Sequence, residues 1–131
     1  MQQRLEPVKL FDSKAATWST VAFPVSDRQH VFLTKSSSGT SNYTIKVQVS
    51  NSYNAPDFSA AASKTNVWSY VQIKELITNT AIDWATGFTE AGADAVRTFE
   101  INTNGQRWLG ATITAYSAGS IDLILTAKNN G

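Results

Sequence analysis

The feature that most constrains this chain is strict alternation of apolar and polar residues in short segments broken by turn-forming residues. A period of two puts one set of side chains on a buried face and the other outside, which only a strand does. Tyr43, Ile45, Val47 and Val49 alternate with Thr44, Lys46, Gln48 and Ser50, the cleanest half-buried strand in the sequence. From Trp68 to Ile77, Val71, Ile73 and Ile77 fall on one face, with Gln72, Lys74 and Leu76 on the other. Phe99 and Ile101 alternate with Thr98, Glu100 and Asn102, and Asn104-Gly105 then predicts a type I′ hairpin returning through Arg107–Tyr116. A second turn at Ser117-Ala118-Gly119 leads into Ile121, Leu123 and Leu125, so three consecutive antiparallel strands are expected to close the chain.

Shorter strands are expected at Val8–Phe11, Trp18–Phe23, Val31–Lys35 and Ala81–Thr86, for a total of eight or nine. Ser36–Ser41 reads as a loop, Asn51–Asn66 as a longer connection with room for one helical turn at its alanine run, and GFTEAGAD (87–94) as an irregular Gly/Ala-rich loop. Nothing divides domains and no repeat is visible. The expected architecture is all-β: a single antiparallel β-sandwich over residues 1–131, jelly-roll-like, because antiparallel sheets bury their apolar faces against each other. Residues 1–12 have two placements open to them. Pro7 favours an extended N-terminal arm, and Leu5, Val8, Leu10 and Phe11 could lie along a neighbouring molecule or add a terminal strand to the domain's own sheet.

Composition narrows the function. Charged residues make up only 16% of the 131, against about a quarter in an ordinary domain, so the surface owes its polarity to Ser, Thr, Asn and Gln. Eleven basic against ten acidic side chains give no field for a phosphate backbone or an anionic bilayer, so neither nucleic acid nor membrane is expected as a partner. With no cysteine and one histidine, thiolate chemistry and His-rich metal sites are excluded. No apolar run approaches the ~18 residues of a membrane span, and the amino end lacks a signal-peptide pattern, which points to synthesis in the cytoplasm. The glycines form neither dinucleotide- nor phosphate-binding motifs, so no cofactor is expected.

Catalytic candidates are thin. His30 beside Asp27 could act as a general base, but no nucleophile elbow accompanies it. Asp83, Glu90, Asp94 and Glu100 could supply a glycosidase pair, yet solvated surface roles suit scattered acids better. The four tryptophans say more, since each large ring is a core anchor, a stacking platform for sugars, or an interface hot spot. Strand phase sets Trp108 opposite Leu109, Ala111 and Ile113, so it packs the other face or an adjoining subunit. Trp84, near Phe88, is balanced between exposed platform and core.

Three stretches, NYTIKVQVSNSYNAPDFS, VWSYVQIKELI and RTFEINTNGQRWLGATITAYSAGSIDLILTA, resemble small all-β structural proteins of tailed bacteriophages over about residues 28–127. The likeness rests on Val47–Ser50, Asp57, Trp68 with Tyr70, and Phe99 through Trp108. It implies a non-enzymatic, homo-oligomeric virion protein on the capsid surface, decorating or cementing it by contact with the major capsid protein or another virion protein. The alternative is a carbohydrate- or receptor-binding module of a head fibre or tail. The contact residues expected are Leu5, Val8, Leu10 and Phe11, then Tyr53, Asp57 and Phe58, then Trp84 and Phe88.

Overall fold

The structure, a computed structural model, describes residues 4–26, 28–93 and 96–128. Among them there are ten strands and no helix: β1 (Arg4–Lys14), β2 (Trp18–Ser19), β3 (Phe23–Pro24), β4 (His30–Ser50), β5 (Ser69–Val71), β6 (Ile73–Glu75), β7 (Thr80–Ile82), β8 (Phe88–Ala93), β9 (Arg97–Asn102) and β10 (Trp108–Lys128). All the pairings are antiparallel, as expected.

The frame is one ribbon. β4 and β10, 21 residues each, pair from Trp108↔Ser50 to Ala127↔Val31. A straight strand of that length would run roughly 70 Å at about 3.3 Å per residue, far beyond a domain whose radius of gyration is about 14 Å. The ribbon therefore has to bend, and its register shifts fall between Ile113 and Ser120, with another at Ser41/Asn42 on the β8 side. Such bulges kink a strand and increase its twist. Gly119 sits at the bend with φ +94°, and a Cβ there would lie 2.7 Å from Ser41 Oγ, so backbone conformation and close approach both require glycine.

On one side of the bend, the order is β1–β10–β4–β9–β6–β7; on the other, β2 and β3 flank β10 while β5 and β8 flank β4. One ribbon face is apolar almost end to end: Val31, Leu33, Tyr43, Ile45, Val47 and Val49 from β4 join Leu109, Ala111, Ile113, Ile121, Leu123 and Leu125 from β10 in a single core cluster. The halves meet across it, with Phe88 of β8 against Phe99 of β9 at 4.9 Å between ring centroids. The result is a curled antiparallel sheet folded on itself into two layers, which is the expected sandwich.

Several local expectations are corrected. Ser36–Ser41 and Ser117–Gly119 are bends within continuous strands, and 88–93 of GFTEAGAD is strand β8, pairing with Ser41–Ile45. The Asn104-Gly105 turn has the expected geometry, with φ +53° and +76° and Gln106 N–H donating to Thr103 C=O at 2.9 Å. It makes no hairpin, however, because β9 pairs with β6 and with His30–Lys35 of β4, while the start of β10, Trp108–Ile113, pairs with Ile45–Ser50 on the other side of the bend. The Trp68–Ile77 run breaks at Gln72, sending β5 to one layer and β6 to the other, and Ile77 is 72% exposed. Residues 51–66 hold no helical turn. The amino-terminal segment takes the second of its two placements: β1 pairs with β10 in the chain's own sheet, Leu10 and Phe11 are buried in the core, and Val8 packs against it.

The outer face of the second layer is not left to solvent. Residues 51–66 bring Phe58 over Gly110, where a Cβ would stand 2.4 Å from Phe58 Cδ2 and 2.8 Å from Thr20 Oγ1. Gln48, buried on that face, donates Nε2–H to Phe58 C=O at 2.9 Å. Gly110→Ala is expected to cost about 1–3 kcal/mol by overpacking against the Phe58 ring. An unchanged urea midpoint for that variant would show that Phe58 is not seated there.

Candidate interaction surfaces

The sequence-predicted contact residues divide by burial. Leu10, Phe11, Phe58 and Phe88 are core side chains, spent on the chain's own packing. Leu5 pairs with Ala127 through its backbone, and its side chain lies outside the described residues. Tyr53 is 84% exposed, with the Arg107 guanidinium 5.9 Å from its ring centroid, and Trp84 is 55% exposed. Asp57 is exposed and works locally: its Oδ1 accepts from Ser59 Oγ at 2.5 Å and from Ser59 N at 2.9 Å. The Ser59 hydroxyl, then its amide, hold the Asp57 carboxyl below its ordinary value.

Around Asp57 the 51–66 connection is tied down without regular secondary structure. Asn66 Oδ1 accepts from Asp57 N at 2.8 Å, while its Nδ2 donates to the carbonyls of Asp57 at 2.8 Å and Ala61 at 3.2 Å. Trp68 Nε1–H donates to Ala60 C=O and Trp108 Nε1–H to Ser52 C=O, each at 3.0 Å. Trp108 thus faces away from Leu109 and Ile113, as its phase predicts, and packs against its own chain. Phe58, Trp68 and Tyr70 form an edge-to-face series at 6.1 and 5.1 Å, and Lys46 Nζ lies 5.0 Å from the Tyr70 ring. Beside this series opens a groove of about 300 Å³, lined by Trp68 with Asn51, Ser52, Val67, Ser69 and Gln106.

The acids proposed as a catalytic pair are not brought together as one. Glu90 is buried and bonded to the Lys35 ammonium, itself 0% exposed, and Arg97 Nε lies 3.6 Å from the same carboxylate oxygen. Glu100 is on β9 in register with Phe32 and Lys74, Asp83 is in an exposed turn, and Asp94 lies outside the described residues. His30 begins β4, and Asp27 also lies outside them. Among the described residues no group of three His, Asp or Glu side chains could hold a metal.

Sequence reading missed the Lys35–Glu90–Arg97 group, because a charge at an inward strand position reads as the end of the apolar phase. It also missed Glu75, buried at the end of β6, where the carboxylate accepts from Thr78 Oγ1 at 2.5 Å, Thr78 N at 2.8 Å and Ile77 N at 3.1 Å. The Thr78 hydroxyl, then its amide, lower the Glu75 pKa, with Arg97 adding to the shift. A carboxyl depressed in the folded state stabilises it above the unfolded value and loses that contribution as pH falls through the folded one. Acid sensitivity of the urea midpoint should therefore be weaker in Thr78→Val than in the parent below the ordinary glutamate range; equal slopes would contradict this assignment.

No protein-family model and no curated protein sequence matches the chain. A solved structure does match in fold: the SPBc2 prophage-derived protein YomS superposes over 98% of this chain and 96% of its own, with a TM-score of 0.72 at 8% sequence identity. At that identity the likeness concerns fold.

Proposed function

We propose that this chain is a structural protein of a bacteriophage particle, acting by non-covalent contact with the capsid or another virion protein and with copies of itself, and carrying out no catalysis. The observation that carries the reading is the fold shared across nearly the whole of both chains with a prophage-derived protein. The surface supports it. Val21, Tyr53, Val67, Ile77 and Trp84 are large apolar side chains more than half exposed, and aromatic residues among such groups commonly anchor interfaces. The contacts come from these loop and turn positions. The free edge of β1 is unsuited to them, because Pro7 and three register shifts along the strand discourage pairing with another chain. On a symmetric shell, repeated weak contacts reinforce one another through high effective concentration.

The test is quantitative mass spectrometry of gradient-purified particles from the phage that encodes the chain. The reading expects the protein to be retained at a fixed ratio to the major capsid protein and lost from particles assembled with Trp84→Ser or Tyr53→Ser. Abundant protein in the lysate with none on particles would overturn it.

A further inference from the structure

The groove beside Trp68 combines three properties. It is small, its lining is uncharged, and its walls are fixed in place. A volume of about 300 Å³ lies at the bottom of the range for ligand pockets, enough for one or two sugar rings. Its polar side chains are hydroxyls and amides only. Those of Asn51, Ser69 and Gln106 make no hydrogen bond to any described residue, so their donors and acceptors are free for a ligand. Trp68 adds an aromatic wall, and Val67, 51% exposed, an apolar one.

The walls are rigid because the chain spends many polar groups on holding them. Ser50 Oγ donates to Val67 C=O at 2.5 Å, closing the two sides of the groove on each other. The Trp68 and Trp108 indoles are anchored to Ala60 and Ser52, and Arg107 N–H donates to Ser50 C=O at 2.9 Å beneath. The 51–66 connection is longer than the ~12–15 residues at which structureless loops become uncommon outside binding or disordered segments, and its Asn66-centred bonding gives it order. A preorganised site loses little entropy on binding.

We infer that this groove binds a neutral saccharide, with Trp68 against the C–H face of a ring and Asn51, Ser69 and Gln106 bonded to its hydroxyls. The absence of charge in the lining favours a neutral glycan over an anionic ligand, and the short span disfavours a peptide, which needs a longer track of backbone partners. The inference stands independently of the virion assignment.

The experiment is a ¹⁵N-correlation NMR titration of the whole chain with glucose, galactose, mannose, N-acetylglucosamine and their β-linked disaccharides. At least one is expected to shift the Trp68 indole and the Asn51, Ser69 and Gln106 signals together. Trp68→Ala could release the 51–66 loop, so the decisive variant is Asn51→Ala/Gln106→Ala, whose side chains bond nothing internal. It should retain the parent's urea midpoint and lose roughly tenfold in affinity, about 1.4 kcal/mol, whereas Trp84→Ala keeps the parent affinity. Shifts from none of the sugars, shifts centred on Trp84, groove shifts produced only by peptides or anions, or undiminished affinity in the double variant would each overturn the proposal.

Discussion

Replacing Glu90 by glutamine is expected to destabilise the fold by about 3–5 kcal/mol, because it strands the buried Lys35 ammonium without its counter-charge. Lys35 has little else to turn to: its Nζ lies 5.5 Å from the Tyr43 and Phe88 ring centroids, and the neighbouring cation, Arg97, repels it. The double variant Lys35→Met/Glu90→Gln should recover most of the loss, since removing both charges also removes both desolvation costs. Urea denaturation of the two single variants and the double one measures this directly. Equal destabilisation in Glu90→Gln and in the double variant would mean that the cost lies in packing and that charge is incidental.

Phe11→Ala carries a comparable expectation, about 3–5 kcal/mol, from the lost transfer energy and the cavity left behind. Phe11 has no exposed surface, and it packs edge-on to Trp18 with centroids 5.6 Å apart, in turn covered by the Lys14 ammonium at 4.1 Å. Trp18 fluorescence should shift together with the midpoint. A variant of parental stability would mean that β1 is dispensable and would reopen its role as an arm. By the same logic, deleting residues 1–11 should weaken folding before it informs on any partner.

What could be read in advance was what local chemistry controls. Tyr43–Ser50 alternates because one face is buried and the other half-covered, and the Asn104-Gly105 turn follows from two residues that tolerate positive φ. Which strands that turn joins depends on β4, more than fifty residues upstream, and no local signal encodes it. The inward phase of β4 runs Val31, Leu33, Lys35 and resumes at Tyr43, while that of β8 runs Phe88, Glu90. Lys35 and Glu90 each look like a strand ending until they are placed opposite one another. The Ser/Gly/Thr stretch after Lys35 has loop composition, but β10 and its neighbours satisfy its backbone in extended form, so tertiary pairing overrides propensity. Of the expected contact residues, Tyr53 and Trp84 stay outside, whereas Phe58, in the same connection as Tyr53, is drawn in over Gly110, and Phe88 of β8 is drawn in against Phe99. The groove beside Trp68 depends on Gln106 approaching Ser69 across the fold, a proximity with no counterpart in spacing along the chain.

The two long strands also set the order of events when the protein is made. Segment 108–128 is the partner of β1, β2, β3 and β4, with ladder contacts reaching from Val31 to Ala127. Neither layer can close until residues 108–128 have left the ribosome, so nascent chains carry exposed apolar strands until that point. Such non-local topology is associated with slow folding and with aggregation of unfinished chains, and yield in a heterologous host should depend more on temperature and expression rate than on the stability of the finished molecule.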